Sequence, residues 1–239
     1  MGYADLKERV WLANRSLVEA GLVVLTWGNA SGADRRAGVF AIKPSGVSYR
    51  DLRPGSMVVV SLETGEVVEG DLRPSSDTPT HLELYRGFER IGGVAHTHSP
   101  CATAFAQAAR ELPCLGTTHA DNFHGAVPVT RLPAPEEVAE GYERNTGLLI
   151  VERFREGGLD PRAMPAALVA GHGPFTWGES PDAAVENALV LEFAARMALD
   201  TWSLAPEAKG IPRHLLDKHF LRKHGPGRYY GQGMDLEGR

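Results

Sequence analysis

The stretch Gly93-Val94-Ala95-His96-Thr97-His98-Ser99-Pro100 decides how the rest of the chain is read. Its apolar start is short and bounded by glycine, which suits a buried strand better than a helix. Ser99-Pro100 then offers a capping oxygen ahead of a proline that fits the first helical turn. Thr78-Pro79 and Ser180-Pro181 repeat this helix-opening pair, and Ala166 to Ala170 repeats the short buried strand. Alternation of the two element types along a chain predicts a layered α/β domain.

Working outward, Leu6, Val10, Leu17 and Val18 recur at helical spacing as far as Glu19, and Gly21 suits the cap beyond the helix end. Leu22 to Thr26 is expected to be a strand entering a Gly/Asn/Ser loop. Val39 to Lys43 and Met57 to Leu62 read as further strands, with a hairpin turn at Glu63-Thr64-Gly65-Glu66. No linker, repeat or low-complexity tract divides the chain. It is therefore read as one domain over residues 1–232 with a short tail, 233–239.

With 43% hydrophobic and 23% charged residues in 239, the composition is that of a globular protein. A net charge of -5 and the lack of a long basic run argue against a nucleic-acid partner. No stretch approaches about 18 uninterrupted apolar residues and the N-terminus has no apolar leader, so a cytoplasmic protein with no membrane partner is expected. Cys101 and Cys114 alone make neither a disulfide framework nor a thiolate metal site.

Side-chain direction repeats every two residues in a strand, so His96 and His98 are expected to point to one side as a two-pronged clamp. His172 lies between Gly171 and Gly173 just after the second buried strand. Three imidazoles with one open position is the pattern of a catalytic zinc site. Taken singly, each histidine reads equally as a hydrogen-bonded polar residue. Three small polar loops accompany them: Gly28-Asn29-Ala30-Ser31-Gly32, Pro44-Ser45-Gly46, and Ser75-Ser76 before Asp77 and the Thr78 helix start. Glycine permits close approach, and a helix start offers free N–H groups, so a phosphate suits them. Each is also readable as an ordinary turn. No Walker or dinucleotide motif is present, which favours a phosphomonoester over a nucleotide. Asp77, Asp121, Glu143, His219 and Tyr230 are titratable candidates that pattern alone does not rank.

Seven blocks, in order, resemble the class II aldolase and epimerase family. They are Leu25 to Ser31, Ile42 to Val47, Pro74 to His81, Ala95 to His98, Gly116 to Asp121, His172 to Trp177, and Leu216-Asp217-Lys218-His219 through Tyr229-Tyr230-Gly231-Gln232. The resemblance implies a single-domain layered α/β sandwich whose central, mainly antiparallel sheet is flanked by helices, acting on a small phosphorylated ketose. It implies one zinc per subunit on His96, His98 and His172, with Asp77 as an additional ligand or beside it. Phosphate would be held by Gly28, Asn29, Lys43, Ser45, Gly46, Ser75 and Ser76. Asp121 and Tyr230 would be the proton-transfer pair, with Glu143 and His219 in support, in a homotetramer whose sites lie between neighbouring subunits. Aldolases of the family typically carry glutamate where this chain has Asp77, so the shorter carboxylate sides with the epimerase branch. A catalytically silent, adducin-like module is opposed by retention of all three histidines with Asp121 and Tyr230.

Overall fold

The computed structural model describes residues 2–229. Helix α1 (Ala4–Glu19) buries Leu6, Val10, Ala13 and Leu17 along one stripe. It closes as expected, with Gly21 at φ +68° donating to Val18 O and Leu22 N donating to Leu17 O. The next expectation fails, because Leu22 to Thr26 is not a strand. Val24 and Leu25 are 59% and 73% exposed, and Leu25 turns the chain with φ +56°.

The first strand begins where a loop was expected, at β1 (Asn29–Asp34). Asn-Ala-Ser-Gly-Ala-Asp has little intrinsic preference for a strand, so tertiary packing forms it. A Cβ on Gly32 would meet Pro181 Cγ at 2.4 Å and Val10 Cγ2 at 2.9 Å, so two helices on the same sheet face rest on bare backbone there. On the β2 side, where strand pairing starts only at Ser31, the buried Asn14 side chain donates to Ala30 O at 2.8 Å and accepts from Ala30 N at 2.9 Å.

The chain continues through β2 (Val39–Ile42), β3 (Val58–Ser61), β4 (Val67–Glu69), α2 (Thr78–Gly87), β5 (Gly93–His96), α3 (Pro100–Gln107), α4 (Thr117–Ala120) and α5 (Pro135–Ala139). Then follow α6 (Tyr142–Glu156), β6 (Ala166–Leu168), β7 (Pro174–Gly178), α7 (Pro181–Leu204) and α8 (Arg213–His224). The seven strands form one sheet in the order β4-β3-β2-β1-β5-β7-β6, with every pairing antiparallel. Along β2 the period of two is plain: Phe40 and Ile42 enter the main core with Leu84, Phe154 and Trp177, whereas Val39 and Ala41 pack with Leu6 and Val10. Helices α2 and α6 thus cover one face, and α1 with the start of α7 the other.

The three Ser/Thr-Pro helix starts are present but capped differently. Ser180 Oγ accepts from Ala183 N, as expected. At α3 the Glu192 carboxylate accepts from Cys101 N and Ala102 N, both at 2.9 Å, instead of the Ser99 hydroxyl. At α2 the cap position belongs to Asp77, and Thr78 Oγ1 donates back to Ser75 O at 2.6 Å. Among the described residues, no helix is long and apolar enough to cross a membrane.

Candidate active site

Strand β5 stops at His96, so His98 lies beyond the strand instead of in it. The two rings nevertheless converge, with Nε2 atoms 3.1 Å apart. His172 enters from the β6–β7 turn, which Gly171 permits with φ +72°, and its ring centroid lies 4.8 Å from His96 and 5.1 Å from His98. One nitrogen from each ring falls within 4.8 Å of the others.

This donor set fits a metal ion. With Zn–N bonds of about 2.0–2.1 Å, two ligands of a tetrahedral site stand about 3.3 Å apart, close to the Nε2 separation found here. His96 Nδ1 donates to Pro174 O at 2.9 Å, which leaves the Nε2 lone pair for a ligand bond. Phe175, cross-strand from His96, stacks on it at 4.1 Å and fixes the ring plane. Burial and the neighbouring rings push His172 down to about 4 and lower His98, against the opposite pull of Asp77. Both are therefore neutral at physiological pH, the state that ligates a metal.

Every residue expected to hold phosphate or metal, together with Glu143, lines one cavity of about 600 Å³. Gly28, at φ +76°, packs so closely that a Cβ would meet His96 O at 2.8 Å. Lys43 is buried, donates to Pro44 O at 3.3 Å and lies 4.9 Å from the centre of the Tyr49 ring. Burial lowers its pKa and Asp77 pulls the other way. An ammonium with three donors and so little protein around it calls for an anion.

Asn29 is oriented differently from a simple phosphate donor. Its amide donates to Asp77 Oδ2 at 2.6 Å and to Ser75 Oγ at 3.2 Å, leaving Oδ1 buried without a partner. Burial raises the Asp77 carboxyl, but His96, His81, Asn29 and His172 together hold it below the usual carboxylate range. Asp77 shares the cavity with the three histidines but is not part of their donor cluster. Tyr142 escaped the sequence reading, although it precedes Glu143 and opens α6. Its hydroxyl lies 3.3 Å from His172 Nδ1. The neighbouring Glu143 is anchored through its carbonyl, which accepts from the Thr80 hydroxyl.

Asp121 and His219 are brought together elsewhere. Asp121 ends α4 and accepts from Arg222 at 3.0 and 2.7 Å and from His219 Nδ1 at 3.0 Å. Burial raises its carboxyl, while Arg222 and His219 outweigh that and lower it. Neither residue lines the cavity of its own chain. Tyr230 and the tail 233–239 lie outside the described residues.

A helix-flanked antiparallel sheet with a metal-competent histidine triad at one end defines a protein of the class II aldolase type. Over residues 8–199 the chain matches the Class II Aldolase and Adducin N-terminal domain, and it belongs to that family. It is similar to a solved L-fuculose 1-phosphate aldolase at 25% identity, covering 92% of this chain and 96% of that one, with a TM-score of 0.77. YgbL from Klebsiella pneumoniae is 26% identical over 91% of this chain and 99% of its own, with a TM-score of 0.71. The L-fuculose-1-phosphate aldolase from Thermus thermophilus is 25% identical, covering 87% of this chain and 100% of that one, with a TM-score of 0.64.

Proposed function

We propose that the chain is an L-ribulose-5-phosphate 4-epimerase, interconverting L-ribulose 5-phosphate and D-xylulose 5-phosphate. The observation that carries this reading is Asp77, a short carboxylate held by Asn29 beside the triad, where aldolases of the family typically carry glutamate. Direct removal of the C4 hydrogen as a proton is unattractive, because C4 is not adjacent to the carbonyl. Cleaving C3–C4 avoids this. A base takes the C4 hydroxyl proton, the C3–C4 electron pair passes into the enediolate of dihydroxyacetone, and glycolaldehyde phosphate is left. Rotation of the aldehyde and re-addition of C3 to its other face invert C4.

A zinc ion held by His96, His98 and His172, one per subunit with Asp77 adjoining, supplies Lewis-acid polarisation of the ketose oxygens when bound. Lys43, Ser45, Ser75 and Ser76, with the backbone at Gly28 and Gly46, hold the phosphate so that the aldehyde turns without escaping. Asn29 acts at the join, steadying Asp77 and Ser75. Glu143 lies at the cavity wall. Asp121 and Tyr230, supported by His219, serve as the proton-transfer pair in a neighbouring subunit's cavity. The placement of Asp121 outside its own chain's cavity supports this shared arrangement within a homotetramer.

Incubation of the zinc-loaded protein with L-ribulose 5-phosphate, followed by NMR, tests the reading. D-xylulose 5-phosphate is expected. Accumulated fragments would make the protein an aldolase, and an unchanged substrate with a fully loaded enzyme would overturn the reading altogether.

A further inference from the structure

Three loops that line the cavity are tied together through Lys43 and Tyr49. Lys43 follows directly on β2, and its carbonyl accepts from Ser75 N at 3.0 Å, which fixes the Ser75 loop to the Lys43 loop. Beyond Lys43 the chain turns at Gly46, with φ +68°, and Tyr49 returns to the lysine, whose ammonium stands over the ring 4.9 Å from its centre. The Tyr49 hydroxyl donates in turn to Gly28 O at 2.9 Å, which ties in the Gly28 loop. Tyr49 packs with the cluster around Leu52 and Met57 and is not among the residues lining the cavity.

Lys43 is only 2% exposed, and among the described residues no carboxylate forms an ion pair with its ammonium. A buried charge needs a compensating group. A carboxylate would supply one but would cancel the charge that a phosphate needs. An aromatic face stabilises a cation through its quadrupole and leaves the charge in place. Burial, with Asp77 adding to it, pushes the Tyr49 phenol up, so the hydroxyl keeps the proton that it donates to Gly28 O.

We propose that Tyr49 is a positioning residue for phosphate binding: its ring holds the Lys43 ammonium charged at the cavity wall, and its hydroxyl locks that ring to the Gly28 loop. Phosphate recognition then depends on a side chain that the phosphate does not touch. The inference rests on the reading of Lys43 as a phosphate ligand.

Calorimetric titration of inorganic phosphate into the full-length protein tests this, with metal left out so that phosphate binds to protein groups alone. Tyr49→Leu should weaken phosphate about 3- to 30-fold, the range of a partly desolvated cation–π contact, and Tyr49→Phe, which keeps the ring, should lose less. In a Lys43→Met background Tyr49→Leu should cost less than about 2-fold more, because the ring then has no ammonium to hold. A merely structural tyrosine would cost the same in both backgrounds. That result, no loss in Tyr49→Leu, or an equal loss in Tyr49→Phe overturns the proposal. A second measurement stands even if a Tyr49 variant does not fold: in NMR of wild-type protein the Lys43 ε-methylene protons, assigned by their absence in Lys43→Met, should lie upfield of the ordinary lysine position. Protons over a ring face are shifted that way, and an ordinary position overturns the proposal. Unchanged phosphate affinity in Lys43→Met would instead refute Lys43 as a phosphate ligand, and this proposal with it.

Discussion

The cavity and the Asp121 cluster are built on opposite plans. Around the cavity the sheet sets positions, since Asn29, His96 and Phe175 form one cross-strand row over β1, β5 and β7. Around Asp121 two helices do so, and the carboxylate is already satisfied by Arg222 and His219. One region has groups short of partners, Lys43 and Asn29 Oδ1 among them, whereas the other is a closed ion-pair set. The open region is arranged to receive a ligand. The closed one holds a charge ready for use, and in our proposal that use is in another subunit's cavity.

Mixing variants is the severest way to break this contrast. His98→Asn should lose nearly all turnover and more than about 100-fold in zinc affinity, because it removes a ligand and not an outer partner. Asp121→Asn should retain its zinc and lose turnover. In randomly mixed tetramers of the two, roughly a quarter of the sites should combine an intact triad with an intact Asp121 from the neighbour, and activity should return in that proportion. No recovery in tetramers shown by mass spectrometry to contain both chains would place Asp121 and the triad in separate functions.

A smaller effect sharpens the cavity side. Replacing a buried ammonium that bonds a phosphate costs about 1.5–3 kcal/mol, so Lys43→Met should raise KM for L-ribulose 5-phosphate about 10- to 100-fold. Steady-state kinetics that leave KM unchanged would remove Lys43 from the phosphate site. The smallest effect concerns the ion-pair side. Asp121 has a folded-state pKa below its unfolded value of about 3.9, so its stabilisation is complete above about pH 4 and is lost as pH falls through the lowered value. The melting temperature of wild type should therefore fall toward that of Asp121→Asn as the pH is taken below about 4. Parallel curves would show that the cluster contributes no net stability.

The same contrast explains what was legible in the chain. His96, His98 and His172 could be found because metal ligation demands a residue type at a spacing, and Gly171 and Gly173 marked the close approach. The layered fold was legible through strand length and helix caps. Strand β1 was not, because Leu22 to Thr26 looks like a strand and Asn29–Asp34 does not. Only the helices resting on Gly32 and the Asn14 bridge reverse that preference, and both contacts come from distant residues. Tyr142 was missed for a related reason: its value lies in a turn of α6 that brings it to His172, thirty residues away. The separation of Asp121 from the cavity is likewise a fact of where α4 and α8 sit, which no local pattern encodes.

Gly32 has one more consequence, for how such a chain can diverge. Because Val10 of α1 and Pro181 of α7 seat on naked backbone at that point, the spacing between Asn29 and His96 is set by strand pairing and by these two contacts, away from the side chains that line the cavity. Lineages descended from this arrangement can exchange the loops around Ser45, the wall at Glu143 and the whole of α8 without disturbing the frame that holds the histidines. Substrate preference and scaffold are thereby inherited separately, and a new reaction needs changes only at the rim.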